Sequence, residues 1–147
     1  MSHSKIPASL LKRFGAMLYD FLLFGSAVLV VGFLSMLLIT AITGTENVKS
    51  GSIFAKLFFI YLLAFGYFFF GWFWTHGGQT LGMRAWKLEV ITLDGQCINW
   101  TQALFRYIYS IISWIPFGAG YLWMLFDKNN LTFHDRISKT AIVYKNQ

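Results

Sequence analysis

Two apolar runs, residues 14–43 and 53–75, leave this chain few ways to fold. A helix crossing the roughly 30 Å hydrocarbon core of a bilayer needs about 20 consecutive apolar residues. Both runs are long enough, and each carries a single charged side chain, Asp20 in the first and Lys56 in the second. A cleavable signal peptide has an apolar stretch of only about 7–15 residues, so the first run is expected to be a retained, tilted transmembrane helix. Composition agrees. Of 147 residues, 56% are apolar, 20% aromatic and 12% charged, whereas soluble domains carry about 25% charged residues. That balance excludes a soluble globular enzyme, and it excludes disorder, which needs high charge and few aromatics. The expectation is one all-α integral membrane protein domain over residues 8–144, preceded by a polar N-terminal tail, residues 1–7.

A third apolar region, residues 100–126, contains Arg106 and is interrupted by Pro116, Gly118 and Gly120. Proline and glycine at mid-segment predict a break, either in one kinked span or between the arms of a re-entrant pair. Basic residues collect in cytoplasmic loops. With residues 43–52 as an external turn, a re-entrant pair puts nine loop Lys and Arg residues inside and Lys49 alone outside. The re-entrant reading is therefore preferred, with both termini cytoplasmic. Between the runs, Trp86–Val90 alternates apolar and charged residues, Ile91–Leu93 shifts that phase as a bulge would, and Asp94-Gly95 is a hairpin signal. With Thr140–Tyr144, these predict a small β-hairpin or three-stranded sheet at the cytoplasmic surface. Trp72 and Trp74 close the second run, where indoles favour the membrane interface, and Gly66 and Gly71 permit close helix approach.

Charges within apolar segments usually face protein or water and have a partner. Lys56 is near enough to its helix end to snorkel. Asp20 and Arg106 lie at depths matching within about 3 Å, counted from their helix starts at 1.5 Å per residue, so these two are expected to pair, leaving Asp135 to Arg13. The motifs Lys12-Arg13-Phe14, Leu18-Tyr19-Asp20, Gly78-Gln79-Thr80-Leu81-Gly82-Met83-Arg84 and Thr132-Phe133-His134-Asp135-Arg136 occur in this order. Taken together, residues 8–144 resemble the RDD family of small bacterial membrane proteins, named for one arginine and two aspartates. Arg13, Asp20 and Asp135 match the naming triad, and Arg106 resembles a further recurring position. Ser138-Lys139-Thr140 stands where relatives often have Ala-Gly-Thr. The resemblance implies a multi-pass protein of the bacterial inner (cell) membrane. Transport of an unidentified ligand is suggested for the family, and some members look like sodium/proton antiporters.

Two functions follow. In the first, Asp20, tuned by Arg13 and Arg106, carries a proton, cation or small ligand, since burial and neighbouring charge move a carboxyl pKa. In the second, Arg13, Asp20, Arg106 and Asp135 pin helices together in a structural or accessory subunit that docks a partner or anionic lipid. Three or so spans enclose little pathway, so either role suggests a homo-oligomer or a membrane complex. An enzyme is not expected. His134-Asp135 are adjacent and point about 100° apart on a helix, and Gly77, Gly78 and Gly82 lack the Gly-Lys-Ser/Thr ending of a phosphate loop. His3, His76, Cys97 and His134 have no recognisable metal spacing, so no cofactor or metal is expected. Cys97, the single cysteine, excludes an intrachain disulfide. The net charge of +6 fits anionic lipid beside basic loops better than nucleic acid.

Overall fold

A computed structural model describes residues 6–44 and 52–145. Most of the polar turn expected at 43–52, and residues 1–5 of the polar tail, lie outside the described residues. Helix α1 spans Leu10–Thr43 and α2 spans Ile53–Thr75, and both are long and apolar enough to cross a membrane. At 1.5 Å per residue, the 34 residues of α1 extend about 50 Å, well beyond a hydrocarbon core. Gly44, left-handed at φ 65°, ends α1 and returns its N–H to the Thr40 carbonyl. The Ser52 hydroxyl caps α2 by accepting from the Ala55 N–H.

The glycine-rich stretch after α2 holds a one-turn helix, α3 (Leu81–Ala85), and leads into strand β1 (Leu88–Thr92). Helix α4 (Trp100–Trp114) opens with an Asn99/Gln102 capping box. Helix α5 (Ala119–Leu122) and a 3-10 turn (Trp123–Leu125) follow, then α6 (Phe133–Ile137) and strand β2 (Thr140–Tyr144).

The third apolar region is a bent pair. Its axis bends by 111° across the Ile115–Gly118 break. Pro116 interrupts the helix, and Phe117 and Gly118 turn it with φ of 52° and 78°. The 15 residues of α4 reach about 22 Å, short of a full crossing. The chain then comes back, because Asp135 of α6 meets Arg13 near the start of α1 as well as Arg106 midway along α4.

Strands β1 and β2 pair antiparallel from Leu88↔Tyr144 to Thr92↔Thr140. The register is continuous and burial alternates without interruption from Leu88 to Thr92. The bulge expected at Ile91–Leu93 is therefore absent from this ladder. Asp94-Gly95 does turn the chain, with Gly95 at φ 81° and the Thr92 N–H bonded to the Gln96 carbonyl. The residues beyond lead to α4 instead of a returning strand. The outer edge of β2 is taken by Ile6–Ala8: Pro7 bridges Val143, the Ala8 N–H reaches Ile142, and the Tyr144 N–H reaches Ile6.

Glycines set the closest approaches. A Cβ on Gly66 would fall 2.4 Å from the Tyr107 hydroxyl, and one on Gly71 would fall 2.7 Å from the Trp100 ring. These two residues let α4 pack against α2, as their place in the sequence suggested. At the sheet end, Ala16, Trp74, Met83, Leu88, Val90 and Ile142 belong to one buried core that ties the helix ends to the sheet. Trp74 is part of this core. Trp72 stays exposed and stacks on His76.

Candidate functional site: two charge clusters at the sheet end of the helices

The first cluster is centred on Asp135. Thr132-Phe133-His134-Asp135 forms a capping box, a pattern in which the first and fourth residues satisfy each other's backbone amides. The Thr132 hydroxyl accepts from the Asp135 N–H at 3.3 Å, and the Asp135 carboxylate accepts from the Thr132 N–H at 3.2 Å. The box fixes the carboxylate, which then receives two guanidiniums. Arg13 Nη1 donates to Asp135 Oδ2 at 2.5 Å, and Arg106 Nη1 donates to Oδ1. Arg13 is 3% exposed, Arg106 2% and Asp135 0%, so this triad is shielded from solvent.

Arg13 has more partners than the carboxylate. Its Nε donates to the Ala8 carbonyl at 3.0 Å, and its Nη2 donates to the Ile142 and Asn130 carbonyls at 3.1 and 3.2 Å. Arg106 Nη1 also donates to the Thr140 hydroxyl at 2.7 Å, and its guanidinium lies 5.3 Å from the centre of a Trp74 ring. One residue pair thus joins α1 to α6, and the other joins α4 to α6 and β2.

Burial alone would push the Asp135 carboxyl up, but the charges of Arg106 and Arg13 hold it well below the usual carboxylate range. His134 is buried beside it, its ring packed edge-on against Tyr121 and its Nε2 at 3.0 Å from the Thr132 hydroxyl. Burial pushes the His134 pKa down to about 3, with the Asp135 charge opposing and both arginines reinforcing the shift. At neutral pH the cluster therefore holds one carboxylate, two guanidiniums and a neutral imidazole.

The second cluster is centred on Asp20. The Thr80 hydroxyl donates to Asp20 Oδ2 at 2.5 Å, and the Gly82 N–H donates to Oδ1 at 2.8 Å. The Thr80 hydroxyl also caps α3 by accepting from the Met83 N–H. Asp20 thus supports the start of α3 from a neighbouring helix. Only glycine fits at position 82. A Cβ there would lie 2.2 Å from the Ala16 carbonyl oxygen and 2.8 Å from the Asp20 carboxyl carbon.

The expected Asp20–Arg106 pair does not form. Equal depth along two helices does not put side chains on facing surfaces, and α3 occupies the face of α1 that carries Asp20. Arg106 turns to Asp135, which the capping box presents fully buried. The expected Arg13–Asp135 contact is present. Of the four charged residues singled out, Arg13, Arg106 and Asp135 form one cluster, and Asp20 anchors another. Thr80, Gly82, Thr132 and Thr140 complete the clusters. The Thr-x-x-Asp spacing at 132–135 is a readable capping signal, whereas nothing in the spacing of residues 20 and 80 marks them as neighbours.

The RDD family model matches residues 7–139. Over 67 residues the chain is 37% identical to Uncharacterized protein YxaI of Bacillus subtilis (strain 168). That stretch is 45% of this chain and 43% of the relative, so less than half of the relative's length is covered. No solved structure matches. With nearly the whole chain matched by the family model, and with helices long and apolar enough to cross a bilayer, this chain is a membrane protein that belongs to the RDD family.

Proposed function

We propose that this chain is a non-enzymatic structural or accessory membrane subunit, in which the two clusters fasten the surface sheet to the membrane helices. The observation that carries the reading is the occupation of Asp20. Both of its oxygens accept hydrogen bonds from the 80–82 segment, which fixes α3 on α1. A carboxylate that carried a proton or cation would have to exchange these partners for solvent or ligand in each cycle. Asp135 is engaged still more fully, by Arg13, Arg106 and the Thr132 amide.

The fastened end carries the basic surface. Lys12 lies over the Tyr144 ring, Lys145 reaches Gln79, and Arg136 follows Asp135 on α6. Arg84 belongs to α3, and Lys87 and Lys139 flank the two strands. Lys56 belongs to the first turn of α2, at the opposite end of that helix. Basic residues favour the cytoplasmic side, which supports an inner-membrane protein with the sheet end and both termini in the cytoplasm. That surface would then meet anionic lipid or a partner within a homo-oligomer or larger membrane complex.

The test is reconstitution of the full chain in liposomes with imposed pH and sodium gradients. The fastener reading expects both gradients to decay as in protein-free vesicles. Gradient-driven flux that is abolished by Asp20→Asn, in a variant that stays folded, would overturn it in favour of transport.

A further inference from the structure

We propose that the cleft at the end of the re-entrant pair binds the phosphodiester headgroup of an anionic phospholipid. The inference rests on the membrane orientation proposed above. The cleft has a volume of about 390 Å³ and is lined by Trp123, Phe126, Asp127, Lys128, Asn129 and Arg136. That volume lies within the range of small-molecule sites, about 300 to 1,000 Å³.

The lining divides by chemistry. Trp123 is 48% and Phe126 86% exposed, and they continue into exposed Leu125 on the same turn. These side chains end the returning arm of an apolar pair, where acyl chains would cover them. Indoles are enriched at this depth in a bilayer. Lys128 and Arg136 add two cations to the lining. Asp127 offsets one of them, because Arg136 Nη1 donates to Asp127 Oδ1 at 2.8 Å.

The other Asp127 oxygen accepts from the Asn129 and Leu131 amides at 3.0 and 3.1 Å. The aspartate is therefore engaged in shaping the 127–131 loop and in holding Arg136. One positive charge, that of Lys128, remains to match the single negative charge of a phosphodiester. The loop also leads into the first cluster, since the Asn130 carbonyl accepts from Arg13. The cleft is thereby held at a fixed place relative to α1.

Lipid retention by the detergent-solubilised full chain tests this. Bound phosphatidylglycerol and phosphatidylcholine are counted by native mass spectrometry, and the melting temperature is measured in parallel. The expected result is preferential retention of phosphatidylglycerol. Lys128→Gln should weaken that retention about fivefold, the effect of one lysine near an anionic lipid surface. Arg84→Gln removes the same charge from α3, on the same end of the molecule, and should change retention less than about twofold.

Equal losses in the two variants would overturn the site in favour of diffuse surface charge. Displacement of phosphatidylglycerol by an equal concentration of inorganic phosphate would assign the cleft to a free anion instead of a lipid. Absence of any preference for phosphatidylglycerol at an unchanged melting temperature would overturn the cleft while leaving the fastener reading intact. Flux in liposomes that Asp20→Asn abolishes would overturn the fastener reading without affecting lipid preference.

Discussion

Replacing Asp135 by asparagine removes the negative charge from a site that holds two buried guanidiniums. The amide oxygen can still accept from one arginine or from the Thr132 N–H, but the amide NH2 then faces cationic donors. Removing one partner of a buried ion pair costs about 3–5 kcal/mol. Here one substitution strips two arginines, and it also weakens a helix cap worth about 1 kcal/mol. The lower end of that range already corresponds to a fall in melting temperature on the order of 10 °C for a chain of this size. The assay is thermal unfolding of the full chain in mild detergent, with hydrogen exchange at the β2 amides as a local readout. Asp135→Asn combined with Arg106→Met should recover part of the loss, because the excess of buried cations is then smaller. A shift of less than about 2 °C for the single variant, with β2 equally protected, would refute the claim that this carboxylate holds the sheet end together.

Gly82→Ala should destabilise by about 1–3 kcal/mol, the range for overpacking, because its Cβ meets the Ala16 carbonyl oxygen at 2.2 Å. Gly77→Ala, with nothing within 4 Å of its Cβ, is the matched control in the same melting experiment. The depressed His134 pKa makes stability depend on pH. Between about 6.5 and 3 the unfolded chain binds a proton that the folded chain does not, so stability falls as pH is lowered through this window. Melting curves at pH 7 and pH 5 should diverge for the wild type, and His134→Asn should reduce the difference. Cys97 is exposed between β1 and α4 at the sheet end. A membrane-impermeant thiol reagent should label it in inverted vesicles and not in right-side-out ones, and the opposite pattern would reverse the proposed orientation.

The membrane helices were legible because lipid imposes a length and a composition that few soluble sequences satisfy. The break in the third apolar segment was legible from Pro116 and Gly118, whose backbone restrictions act locally. The second strand partner and the Asp20 contacts were not. Asp94-Gly95 carries a local turn signal, and a turn does form there, but β1 pairs with a strand nearly 50 residues further along the chain. The extended Ile6–Ala8 segment has no alternation long enough to announce a strand, and its place along β2 depends on where α1 begins. Asp20 was visible as a charge in need of a partner. Its partner is a hydroxyl and a backbone amide, and neither leaves a charge signature in the sequence. Depth could be counted from helix starts, but the direction each side chain faces depends on which element packs there.

The choice of arginine follows from the geometry of the first cluster. Arg13 reaches acceptors in four parts of the chain through three nitrogens: Ala8 before α1, Asp135 in α6, Asn130 in the preceding loop and Ile142 in β2. A lysine ammonium presents one point charge and cannot span that set, whereas a guanidinium presents donors in a fixed planar fork. The carbonyl dipoles around Arg13, with Thr140 and the Trp74 ring face beside Arg106, offset the cation that Asp135 alone does not neutralise. A buried ion cluster of this kind adds little net stability compared with apolar packing, because desolvation opposes the Coulomb gain. On the proposed fastener reading, its contribution is registry. Apolar surfaces let α1, α4 and α6 slide against one another at small cost, while a carboxylate shared by two guanidiniums permits one arrangement of the three. On that reading α1 meets α4, α6 and the sheet in a single geometry, and the basic surface and the 127–131 loop are held in place with it.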